Sequence, residues 1–130
     1  MVRLLIIEDD EGMRELLEDS LVEEGVEANS VANGSEAFRK LAKESFDLVI
    51  TDIRMSGLTG LDILPGMKKL QPEAFIIVMT AFGSEEVRRK SFNRGAAAYL
   101  EKPIVIHRLK LLIQEMVSAK NKRAWKMIYS

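Results

Sequence analysis

The sequence predicts an α/β domain built on a parallel five-stranded sheet. Two observations carry this reading. Short runs rich in Val, Ile and Leu alternate with longer stretches of helical spacing. Near-continuous apolar runs fit strands buried on both faces, and strand–helix alternation implies a parallel sheet with helices on both sides. In addition, polar residues able to do chemistry stand just past several of the apolar runs. That is the carboxyl edge, where open parallel sheets bind ligands.

Residues 3–7, 48–51 and 75–79 are the clearest strands, and residues 27–31 and 97–100 fit weaker ones. Met13, Leu16, Leu17 and Leu21 share one face of a helix expected over residues 11–24, with Gly25 where a helix stop belongs. Ala37, Phe38, Leu41 and Ala42 form the next stripe, opened by Asn33 as cap with Glu36 three residues on. A third helix should follow Gly60. Pro65-Gly66 interrupts it, and the missing N–H predicts a kinked or late-starting helix. Over residues 83–94 only Val87 and Phe92 are apolar amid Glu85, Glu86, Arg88, Arg89 and Lys90, so this helix should be largely solvated. Leu109, Leu112, Ile113 and Met116 line the last helix. The order is (βα)5, a doubly wound α/β sheet.

At 130 residues, 47% apolar and 30% charged, the chain is one ordinary domain able to bury a core. A formal charge of −1 argues against a surface built to grip nucleic acid directly. With no cysteine, disulfides and thiolate metal sites are excluded. No apolar run is long enough to span a bilayer, so no membrane association is expected. The N-terminus turns acidic at Glu8, too early for a signal peptide, and a cytoplasmic location is expected. His107 is the single histidine and reads as an exposed helix residue, with no partner for a zinc site.

The candidate chemistry stands at four strand ends: Glu8, Asp9 and Asp10 after the first, Asp52 ending the third, Thr80 ending the fourth, and Lys102-Pro103 after the fifth. Each has an ordinary explanation alone. Acids after a strand favour a helix N-terminus, Asp52 would serve a turn, Thr80 a cap, and Lys102 is a solvated lysine. Together they form a phosphoryl-transfer set. Clustered carboxylates repel one another unless a cation is present, and Mg²⁺ suits one or two carboxylates with phosphate oxygens and water. A carboxylate such as Asp52 can act as a nucleophile towards phosphorus. Lys102 and Thr80 supply a charge and a hydroxyl donor for the equatorial oxygens.

These residues resemble the receiver domain of two-component response regulators. The matching stretches are Leu4-Leu5-Ile6-Ile7-Glu8-Asp9-Asp10, Asp52-Ile53-Arg54-Met55-Ser56-Gly57, Val78-Met79-Thr80-Ala81 and Gly95-Ala96-Ala97-Ala98-Tyr99-Leu100-Glu101-Lys102-Pro103. The middle stretch looks most like regulators that activate sigma-54-dependent transcription. The resemblance implies a flavodoxin-like strand order 2-1-3-4-5 and a receiver over residues 1–117. It makes Asp52 the phosphoacceptor, with Mg²⁺ held by Glu8, Asp9, Asp52 and the backbone carbonyl of Arg54. Thr80 and Lys102 would contact the phosphoryl group, and the Lys102–Pro103 peptide would be cis. Tyr99 matches the aromatic switch position, although a half-buried strand aromatic explains it equally well. The implied partners are a histidine kinase, an output domain or downstream protein, and a second copy on phosphorylation. The readout surface would be the fourth helix, fifth strand and fifth helix.

The sequence departs from the family pattern at Ser56, Thr59 and Ile104, which bear on loop rigidity and leave the catalytic groups in place. Residues 118–130 form a basic extension with Lys120, Lys122, Arg123 and Lys126 beside Trp125, Met127, Ile128 and Tyr129. It reads as an extended last helix or the start of a linker or dimerising helix. The product of such a domain is a conformational state, so it is a signalling switch and not a conventional enzyme. A haloacid-dehalogenase-type phosphatase would need a second aspartate where Arg54 stands. A nucleotide-binding module would need a Gly-rich loop after the first strand. A phosphorylation-independent scaffold is the remaining alternative, although such domains usually lack part of the set present here. Arg54, Ala81 and Phe82 flank the site, and Arg54 is a candidate shield of the phosphoryl group against water.

Overall fold

The structure, a computed structural model, describes residues 2–22, 24–53 and 60–129, with side-chain surroundings as far as residue 121. Strands β1 (Val2–Ile7), β2 (Val26–Val31), β3 (Leu48–Asp52), β4 (Phe75–Thr80) and β5 (Ala98–Glu101) alternate with five helices. These are α1 (Glu11–Leu21), α2 (Gly34–Lys43), α3 (Gly60–Leu70), α4 (Glu85–Asn93) and α5 (Ile106–Tyr129). The strands form one parallel sheet in the order β2-β1-β3-β4-β5, the order the resemblance implied.

Successive strand residues point to opposite faces, and the core divides accordingly. Leu5, Ile7, Val49, Ile76 and Val78 pack under α2 and α3 with Ala37, Leu41, Leu64 and Met67. Leu4, Ile6, Leu48, Ile50, Ile77 and Met79 face α1 and α5 with Leu17, Leu21, Leu109 and Ile113. Both faces are covered, which is why the central strands read as unbroken apolar runs. Each fully buried aliphatic side chain contributes about 1.5–3 kcal/mol, so the three central strands hold the sheet rigid and fix where their carboxyl ends lie.

The helix termini follow local chemistry. The Asp10 side chain accepts from the Met13 N–H at 2.8 Å and caps α1. At α2, Asn33 Oδ1 accepts from the Glu36 N–H at 2.9 Å, while Glu36 Oε2 accepts from the Ala32 N–H at 2.9 Å. Helix α1 ends at Leu21, three residues before the expected Glu24, and Gly25 enters β2 with φ +72°. Helix α4 is largely solvated as its charges require, with Ser91 buried and Val87 half-buried. No helix among the described residues is long and apolar enough to cross a membrane.

Helix α3 corrects one part of the expectation placed on Pro65: it does not start late, but begins at Gly60 and stays helical through Pro65 to Leu70. Pro65 is exposed, so its ring meets solvent and not the core. Gly66, the next residue, leaves room for the Phe38 ring, which a Cβ would meet at 2.9 Å. The carbonyl that Pro65 cannot satisfy, that of Leu61, accepts from Arg94 Nη1 at 3.0 Å. A tertiary hydrogen bond thus replaces the missing helical one.

Loss of the α2 cap gives a direct check on these local determinants. Asn33→Ala should lower stability by ~1 kcal/mol. Urea denaturation should show a lower midpoint with an unchanged slope; an unchanged midpoint would show that the cap adds nothing to the fold.

Candidate functional site

Sheet register assembles the site. Ile7 lies opposite Thr51, so the residues that follow, Glu8 and Asp52, leave adjacent strands at the same level. Asp52 is registered with Met79 and Thr80 with Glu101, which brings Thr80 and Lys102 to the same edge. Backbone bonds fix the turns there. The Glu8 N–H donates to Val31 O at 3.1 Å, the Ile53 N–H to Met79 O at 3.0 Å and the Lys102 N–H to Thr80 O at 2.7 Å. The Lys102–Pro103 peptide bond is cis.

Glu8 is 1% exposed and Asp52 5%, while Asp9 faces solvent. One carboxylate oxygen from each of the three lies within 4.8 Å of the others. Lys102 Nζ stands 2.5 Å from Asp52 Oδ2 and 3.3 and 3.4 Å from the two Glu8 oxygens. Burial first, and then the Asp52 charge, push the Glu8 carboxyl from its ordinary 4.5 up to about 7, against the pull of Lys102. Burial works to lower Lys102, but its hydrogen bond and attraction to Asp52, with help from Glu8, hold its ammonium above the ordinary range. Three carboxylates around one ammonium leave an excess of negative charge in a mostly dry pocket. A hard divalent cation relieves that excess, and Asp9 at the rim gives it an open approach.

Thr80 is buried, and its Oγ1 accepts from the Phe82 N–H at 3.0 Å, while the Phe82 ring is exposed. Tyr99 is half-buried against the α2–α4 side of the core, and its buried hydroxyl meets no hydrogen-bond geometry among the described residues, although the Ser84 backbone and the Glu101 carboxylate lie close. Burial, then the Glu101 charge, raise its phenol above the ordinary value. Gly83 makes room for this hydroxyl: a Cβ there would overlap it and the Glu101 carboxylate. A cleft of about 310 Å³ opens beside the ring, lined by Arg88, Glu101, Pro103, Val105 and Arg108 among others. It lies between α4, β5 and α5.

The fold is shared with known proteins. Residues 4–114 match the response regulator receiver domain. The chain belongs to that family. PilR, a response regulator protein of Pseudomonas aeruginosa, is 33% identical to this receiver over 122 residues, covering 94% of the chain and 27% of PilR. The chain therefore spans about a quarter of that relative's length. The receiver domain protein from Methanospirillum hungatei superimposes with a TM-score of 0.89 at 31% identity, covering 95% of this chain and 98% of that one. TrrA from Thermotoga maritima, solved in complex with Mg²⁺-BeF, gives 0.80 at 34% identity, covering 89% and 99%.

Of the residues singled out in the sequence, this receiver brings Glu8, Asp9, Asp52 and Lys102 into mutual range, with Thr80 beside them. Asp10 points into the α1 cap instead. The Arg54 carbonyl, and the loop positions Ser56 and Thr59, lie outside the described residues. Sequence reading passed over Arg14, whose Nη1 donates to the Glu8 carbonyl at 2.9 Å and steadies the acidic turn from α1. Its signal was positional: Arg14 stands four residues past the Asp10 cap, one helical turn up.

The Glu8 shift has a pH signature in the metal-free protein. Its folded value, about 7, lies above the ordinary 4.5, so across that window the unfolded chain releases a proton that the folded chain keeps. The contribution is most favourable at acid pH and is lost as pH rises through 7. The loss should be on the order of 1–3 kcal/mol. Glu8→Gln should flatten it, and denaturation with a chelator present at about pH 5 and about pH 8 reads the difference. Parallel pH profiles for parent and variant would contradict the shift.

Proposed function

We propose that the protein is a phosphorylation switch in which Asp52 accepts a phosphoryl group from a histidine kinase in a Mg²⁺-dependent reaction. The observation that carries this reading is the geometry around Asp52: a buried carboxylate at a central strand end, held at 2.5 Å by Lys102 beside two further acids. Glu8, Asp9 and Asp52 would hold the ion, with the Arg54 carbonyl as a further ligand. Bound there, Mg²⁺ neutralises charge on the transferring group and on the carboxylates. The complex of TrrA with Mg²⁺-BeF supports the same use of this edge.

The protein's own groups divide the remaining work. An Asp52 oxygen attacks phosphorus, and the phosphorus–nitrogen bond of the donor phosphohistidine breaks, leaving the donor imidazole. Lys102 exchanges part of its hold on Asp52 for a phosphoryl oxygen. Thr80 exchanges its engagement at Phe82 for a hydrogen bond to the same group. Charge-assisted bonds of this type contribute roughly 1.5–3 kcal/mol each. They exist only in the phosphorylated state, which is what shifts a two-state equilibrium. A shift from mostly off to mostly on needs about 5.5 kcal/mol, within reach of two or three such bonds.

The response would travel through Thr80 to Tyr99 and the α4–β5–α5 surface. α4 is the sparsely packed helix of the five, with a single buried residue among those of its span. An element held by so few apolar contacts opens at low cost. The output would be a further domain or a separate protein, in line with this chain covering 27% of PilR. Residues 118–129 continue α5 as a basic extension, fit to serve as a linker or, in the phosphorylated state, a dimer contact.

Titration with Mg²⁺ and beryllofluoride, followed by amide NMR shifts, tests the reading. The parent should show saturable shifts at the Asp52 edge and in α4 and β5. Asp52→Asn should show neither. Thr80→Ala should keep the shifts at the edge and lose most of those at Tyr99 and α4. A parent that does not respond would favour a scaffold that works without phosphorylation.

A further inference from the structure

Pro65 removes the N–H that would bond the Leu61 carbonyl, and its ring crowds that same carbonyl. A half-buried carbonyl left without a donor is costly. The structure supplies a donor from another helix. Arg94, at the C-terminal end of α4, reaches across to α3 and donates from Nη1 to Leu61 O at 3.0 Å. The same nitrogen lies 3.8 Å from Asp62 Oδ1, a mostly exposed pairing that adds little.

The arginine is not placed by chance rotation. Its N–H closes the last turn of α4 on Lys90 O at 3.0 Å and Ser91 O at 3.3 Å. The next residue, Gly95, has φ +111° and lies so close to α3 that a Cβ would stand 2.5 Å from Lys68 Cγ. Backbone closure and close approach therefore fix the C-terminal end of α4 against α3 and aim Arg94 at the first turn. That turn follows directly on residues 54–59, the segment after Asp52.

We propose that Arg94 is a latch that joins α4 to α3 by satisfying the carbonyl Pro65 strands. The C-terminal end of α4 cannot leave α3 without taking the Arg94 donor away from that carbonyl. On the switching role proposed above, the latch opposes displacement of α4 and favours its resting position. The proline and the arginine form one device: the proline removes the usual helical donor and the neighbouring helix supplies one.

The device predicts a specific non-additivity, measured in the unphosphorylated protein. Pro65→Ala restores an N–H to Leu61 O, so the arginine becomes dispensable. Arg94→Ala should raise the unfolding equilibrium constant about tenfold in the parent and no more than about threefold in the Pro65→Ala background. Hydrogen exchange should quicken severalfold over residues 91–94 in Arg94→Ala, with α1 unchanged. Equal cost of Arg94→Ala in both backgrounds would overturn the latch, as would unaltered exchange at the end of α4. The double variant strands no carbonyl and remains measurable if Arg94→Ala folds poorly. Failure of the switching role is a separate result: the parent would then not respond to beryllofluoride, whatever the cycle shows.

Discussion

Two carboxylates, Glu8 and Asp52, leave neighbouring strands at the same level and are buried side by side. The register that packs Ile6, Ile50 and Ile77 beneath α1 and α5 also forces the two acids together. Burial, and then the Asp52 charge, raise Glu8, while Lys102 sits on Asp52 at 2.5 Å. The edge is therefore poised: a lysine bridges charges that a divalent cation could bridge better, and which a phosphoryl group would rearrange. Rigid central strands hold the conflict in place, because relaxing it would mean shifting strands whose side chains are fully buried.

The fold was legible because burial on both faces leaves a simple mark. Residues 3–7, 48–51 and 75–79 are apolar but for Arg3 and Thr51, and the structure adds one residue at the end of each of the last two. Asn33 announced its cap because an N-cap needs only a short polar side chain at the right step. The start of helix α3 was misjudged for the opposite reason. Pro65 breaks a local rule, and the compensation comes from Arg94, 29 positions further along the sequence. No pattern within α3 could reveal it. Strand-end residues were legible as a set because a parallel sheet collects them, whereas Arg14 was not, since its role is a bond to a backbone carbonyl.

The two ends of the proposed signal path differ in how firmly they are held. The Asp52 edge rests on three central strands and is almost dry. α4 has one buried residue and a polar tie to α3. A group that gains bonds at the rigid edge can therefore move the loosely held helix more readily than the sheet. That asymmetry suits a domain whose product is a conformation.

The central claim is that Asp52 accepts a phosphoryl group with metal assistance. Intact mass after incubation with acetyl phosphate measures this most directly. The account predicts a gain of one phosphoryl group in the presence of Mg²⁺, absent with a chelator and absent in Asp52→Asn. No gain under any condition, or an undiminished gain in Asp52→Asn, would contradict it.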